Sequence, residues 1–137
     1  MTRTRYLLVG TTLVFGVLAA CTTNRDDVCV EANNGQSTTV VGYVSFGGFS
    51  IISNNQFPVR LVQSMNAEEY ILAYVPIGEG PGTIAELPES FSQDDIEITL
   101  DDGGTRHFGQ RIAITGELSV SGDSYCALRN VSVIAKP

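Results

Sequence analysis

The residues of this chain able to do covalent, acid–base or metal chemistry are three cysteines, one histidine and 15 carboxylates. The cysteines are Cys21, Cys29 and Cys126, and no two of them form a C-x-x-C pair, the usual spacing for thiol redox work. His107 is the sole histidine, which leaves a zinc site short of ligands. Nucleophilic catalysis needs a base beside an activated Ser, Cys or Thr. There is no Gly-x-Ser-x-Gly elbow, and His107 has no recognisable partner. Asp94, Asp95, Asp101 and Asp102 would permit a paired-carboxylate hydrolase by number alone. In so acidic a chain, solubilising charge is the simpler reading. Asp101-Asp102-Gly103-Gly104 has calcium-loop residue types but lacks the distant Glu of an EF-type loop. Gly78, Gly80 and Gly82 have the alternation of a phosphate cradle, yet no lysine is near and Pro88 limits any following helix to about a turn. Thr83-Ile84-Ala85-Glu86 has capping-box spacing, so a loop leading into a short helix is expected there. These residues point to no catalytic site, no metal and no cofactor, and the chain is read as a non-enzyme.

The N-terminus is more informative. Arg3 and Arg5 precede an apolar run from Tyr6 to Ala20, diluted by Gly10, Thr11, Thr12 and Gly16. That run is shorter than the ~20 residues a spanning helix needs, and it fits a signal peptide. Ala20 suits the position before a cut, but Leu18 is large where ordinary signal peptidase wants a small residue. Leu18-Ala19-Ala20-Cys21 instead resembles the lipobox of bacterial lipoproteins. The resemblance implies that Cys21 takes a diacylglyceryl group, that the chain is cut before it, and that the new amino terminus is acylated. At ~0.8 kcal/mol per buried methylene, several acyl chains exceed what stable anchoring requires. Thr22 rather than Asp follows the cysteine, which resembles the pattern for outer-membrane sorting if the source is Gram-negative. The expected location is the cell envelope, lipid-anchored, on the outer membrane facing the periplasm if the source is Gram-negative.

With Cys21 assigned to lipid, Cys29 and Cys126 remain as an even pair in an oxidising compartment, and a disulfide between them is expected. Cleavage also removes Arg3 and Arg5, taking the formal net charge from −7 to −9. The remaining basic residues form no run, which argues against nucleic acid and anionic lipid surfaces as partners. The expected organisation is a signal peptide over 1–20, a lipidated tether over 21–38 and one domain over 39–137.

That domain must be built mostly of strands. Val, Ile and Thr recur in short runs, and glycine is plentiful. Thr39–Phe46 alternates with Val40, Val44 and Phe46 on one face, and Gly42 marks a bend. Pro58–Gln63 and Glu69–Val75 follow, the latter apolar on both faces and therefore central. Ile96–Leu100 and Thr105–Phe108 flank an Asp-Gly turn, a hairpin signature. Gly109–Val120 is the strongest strand pattern, with Ile112 and Ile114 inward. In the closing run Tyr125–Ala135 the apolar phase slips, as a bulge near Arg129-Asn130 would produce.

The run G-Q-R-I-A-I-T-G-E-L from Gly109, a polar turn, and then Y-C-A-L-R-N-V-S-V-I from Tyr125 resemble the last two strands of an OB-fold. Val40–Val44 would supply the curved first strand. The resemblance implies a small all-β OB-like barrel, with a β-sandwich as the alternative. OB-folds bind oligonucleotides or oligosaccharides across strands 2–3. Aromatics at strand spacing are usually core residues, but Tyr43, Tyr70 and Tyr74, with Phe46, Phe49 and Phe57, are the available platform. The functional expectation is a non-catalytic domain binding an envelope protein, glycan or small ligand. The alternative is a structural accessory that stabilises a larger envelope assembly through β-edge contacts.

Overall fold

Alternation of apolar residues along the strands organises the fold. The computed structural model describes residues 21–47 and 52–137; the leader residues through Ala20, and Phe49, lie outside them. Five strands carry the barrel: β1 (Ser37–Ser45), β2 (Gln56–Val62), β3 (Tyr70–Pro76), β7 (Arg111–Ser121) and β8 (Tyr125–Ala135). Three shorter strands, β4 (Thr83–Ile84), β5 (Glu97–Thr99) and β6 (Thr105–His107), lie between β3 and β7. On β2, Phe57, Val59 and Leu61 point inward; on β3, Ile71, Ala73 and Val75 do the same. With Val40, Val44, Ile112, Ile114 and Leu128 they form a single buried core.

The strands close in the order β1-β2-β3-β8-β7, with β7 returning to β1. All neighbours are antiparallel except β3 and β8, which run parallel through Leu72↔Ala127 and Ala73↔Leu128. The domain is a small OB-like barrel, and closure excludes the sandwich. Gly42 lies where β2 crosses β1, and a Cβ there would sit 3.1 Å from the Val62 carbonyl oxygen. Pro58 falls third in β2 rather than first, as the sequence reading had it. The missing N–H is tolerated because β1 pairs with β2 only from Arg60 onward.

The expected bulge is present. Thr115 pairs with Val133 and Glu117 with Arg129, so Gly116 alone faces Asn130–Ser132, and Asn130 takes a φ of 49°. The expected short helix after Thr83 is not formed; Thr83 and Ile84 are strand. The Thr83 hydroxyl donates to the Gly80 carbonyl at 2.7 Å, turning back onto the loop instead of capping forward amides. Ile84 is fully buried and pairs with Ile98 of the hairpin. Burial of that isoleucine outweighs a weak local helix signal. The β4-β5-β6 sheet extends the barrel core through Ile84, Ile96, Ile98 and Leu100.

The segment before β1, expected as a tether over 21–38, is stitched onto the barrel. Thr23 N–H donates to the Val41 carbonyl at 2.7 Å, and the Val41 N–H donates to Thr23 Oγ1 at 2.8 Å. This fills the side of β1 that β2 has not yet reached. A one-turn helix α1 (Arg25–Val28) follows, capped by Asn24. Arg25 Nε donates to the Tyr70 carbonyl at 3.1 Å. Further along, Gly35 N–H donates to the Leu118 carbonyl, and Asn34 Oδ1 accepts from Val120 N–H. A disulfide joins Cys29 to Cys126, with Cα atoms 5.8 Å apart. Among the described residues no helix is long and apolar enough to cross a membrane.

Candidate functional site

The outer surface of β1, β2, β3 and β8 collects the polar and aromatic side chains that alternate with the core. Across these strands Tyr43, Val62 and Tyr70 are Cα partners in one row. Arg60, Leu72 and Ala127 form the next row, and Pro58 and Tyr74 the one after. All three tyrosines singled out from the sequence therefore share this outer face. None belongs to the core, and each is half-buried. The general preference for burying strand aromatics fails here because their alternation phase is opposite to that of Ile71, Ala73 and Val75. Phe57 follows the preference and is fully buried; Phe46 packs partly buried against Phe91 and Phe108.

Two arginines complete the face. The Arg60 guanidinium lies 4.0 Å from the Tyr70 ring centroid, and that of Arg129 lies 4.5 Å from the Tyr74 ring centroid. Such stacking places a cation over the negative face of the ring. Arg129 also donates to the Tyr125 hydroxyl at 2.6 Å, while the Tyr74 and Tyr125 hydroxyls are 3.4 Å apart. That hydrogen bond to Tyr125, then burial, raise the Tyr74 pKa above its ordinary 10.0 against the opposing pull of Arg129. Arg60 also packs against Gly47, where an added Cβ would land in its guanidinium.

Sequence reasoning missed Arg60, Tyr125 and Arg129. The spacing Tyr125-x-Ala127-x-Arg129 shows that the last two polar groups share a strand face. Their meeting with Tyr74 depends on the parallel β3–β8 pairing, which no local pattern announces.

His107, Asp95, Asp101 and Asp102 have structural partners. His107 stands across from Glu97 in the hairpin, and its Nδ1 lies 3.2 Å from the Ile96 carbonyl oxygen. Asp101 accepts from the Ile134 N–H at 3.0 Å, tying the hairpin to β8, and Asp102 accepts from Gly104 N–H. Asp95 closes a capping box with Ser92. Among the described residues no three His, Cys, Asp or Glu side chains gather as a metal site. Cys21 is exposed and unpaired, two residues before the stitched Thr23.

A groove of about 420 Å³ borders the aromatic face, lined by Thr23, Arg25, Gln63, Glu68 and Tyr70 among others. It lies between the N-terminal segment and the β2–β3 turn. Compared with known proteins, the chain matches no family model, no curated protein and no solved structure.

Proposed function

We propose that this protein is a lipid-anchored envelope protein whose barrel is a non-catalytic binding module, with the outer β2–β3–β8 surface as the binding face. One observation carries the reading: Tyr70, Tyr74 and Tyr125 lie on the outside of the barrel, where Arg60 and Arg129 hold them in fixed arrangement. Ordered aromatic and guanidinium groups on a rigid sheet lose little freedom on binding, and such groups dominate recognition surfaces.

The anchoring half of the proposal rests on Leu18-Ala19-Ala20-Cys21. Its consequence follows from the Thr23–Val41 stitch. Two extended residues span at most ~7 Å, so a lipid on Cys21 holds the barrel against the bilayer in a restricted orientation. The structural-accessory alternative would have to use the open β4-β5-β6 sheet, because closure occupies the barrel's own strand edges.

The test is affinity capture of the membrane-extracted protein from its native envelope, beside a Tyr74→Ala/Tyr125→Ala variant, with mass spectrometry of the Cys21 peptide. A component retained by the native protein and lost by the variant is expected, together with acylated Cys21. An unmodified Cys21 would refute the anchor, and identical capture by both proteins would refute the face.

A further inference from the structure

The arginines of the aromatic face have an unusual set of partners. The chain carries 15 acidic residues, yet among the described residues the sole ion pair joins Lys136 to Asp102 at 4.0 Å. Glu117 stands directly across the strand pair from Arg129, but its carboxylate accepts from Asn130 Nδ2. Arg129 turns to Tyr74 and Tyr125 instead. Arg60 likewise lies on the Tyr70 ring and against Gly47. A guanidinium held over a ring keeps further N–H donors that can take a carboxylate in fork geometry, although Arg129 spends one on the Tyr125 hydroxyl.

Spacing narrows the ligand. Arg60 sits on the Tyr70 ring and Arg129 on the Tyr74 ring, two separate positions on one face. A ligand that engages both arginines through carboxylates carries more than one anionic group. Nucleic acid is held by a basic groove that tracks its backbone, and this face offers two arginines rather than such a groove. An acidic peptide adding as a strand would pair at a sheet edge and not across this outer face, whose strands are paired to one another. A sugar chain, by contrast, presents weakly positive C–H groups that suit the negative faces of tyrosine rings.

We infer that this face binds an acidic glycan, a sugar chain with carboxylates spaced along it, with Arg60 and Arg129 as the carboxylate forks and Tyr43, Tyr70, Tyr74 and Tyr125 as the sugar platform. The inference rests on the binding-module reading and deepens it.

The probe is a short oligogalacturonate, compared by calorimetry with its neutral methyl ester and with an oligoglutamate peptide, using the folded chain from Cys21 with its disulfide intact. The acid form should bind and weaken as salt is raised. The ester should bind at least about tenfold more weakly, and Arg60→Lys and Arg129→Lys should each cost about tenfold. The lysines retain charge and stem but not the fork, so unchanged unfolding curves separate recognition from stability. Gly47→Ala, which displaces Arg60 without altering charge, should weaken binding in the same direction. Equal binding of acid and ester, indifference to both lysine variants, equal binding of the peptide, or no binding of the oligogalacturonate would each overturn the acidic-glycan assignment. If those outcomes accompany envelope capture that depends on Tyr74 and Tyr125, the binding module stands with another ligand; if capture is also indifferent, both fall.

Discussion

Tyr74 shows how one residue registers its whole neighbourhood. Its hydroxyl meets that of Tyr125, its ring lies under Arg129, and its pKa is raised from 10.0, chiefly by the Tyr125 hydrogen bond and next by burial. The fold thus favours the neutral phenol. The associated stabilisation is complete below the unfolded value of 10.0 and is lost as pH rises through the higher folded value. Titration followed by tyrosinate absorbance should therefore contain one late component that Tyr74→Phe removes. Denaturation curves from about pH 9 to about pH 11 should show a steeper loss of stability in the native protein than in that variant. Superimposable titrations would mean that the Tyr74–Tyr125 contact does not govern this group. Tyr74 was legible in the sequence as an aromatic at strand spacing. Its partners were not, since Tyr125 and Arg129 are more than 50 residues away and reach it through tertiary pairing.

At the scale of elements, β7 and β8 are the two longest strands, and the irregularity of their pairing sits at Gly116. A Cβ there would lie 2.8 Å from the Arg129 carbonyl oxygen, closer than real contacts allow. Gly116→Ala should therefore cost about 1–3 kcal/mol, because the obstacle is backbone and cannot rotate away. Urea unfolding measures this, and a loss below about 0.5 kcal/mol would mean that the bulge relaxes around the methyl group. The substitution should also disturb Arg129 and weaken any ligand held by it. The bulge itself was legible, because a phase slip between Cys126/Leu128 and the residues after Asn130 cannot be accommodated by a regular strand. The capping box at Thr83–Glu86 misled for the opposite reason. Its spacing is correct for a helix, but Ile84 is claimed by the core and the Thr83 hydroxyl by the preceding loop.

For the whole molecule, the Cys29–Cys126 bond spans 97 residues and ties the N-terminal segment to the last strand. In the chain-entropy model, closing a loop of that length stabilises the fold by about 4–5 kcal/mol. A Cys29→Ser/Cys126→Ser variant should lose most of this, read as a lower urea midpoint with a larger m-value, since its unfolded chain is less constrained. Unfolding curves that coincide with those of the oxidised protein would show that the Thr23–Val41 stitch and the Asn34 and Gly35 contacts suffice to hold the segment. The sequence by itself determined the all-β class, the core faces of the strands, the hairpin and the bulge, because these follow from period-two alternation and turn chemistry. It also determined the cysteine pairing, which followed by parity once the lipobox resemblance had assigned Cys21. Only the tertiary structure decided that the segment after Cys21 is folded onto the barrel and that Arg60 and Arg129 stack on tyrosines across strands. Those arrangements depend on which distant strands become neighbours, above all β3 beside β8, and barrel closure is a property of the chain as a whole.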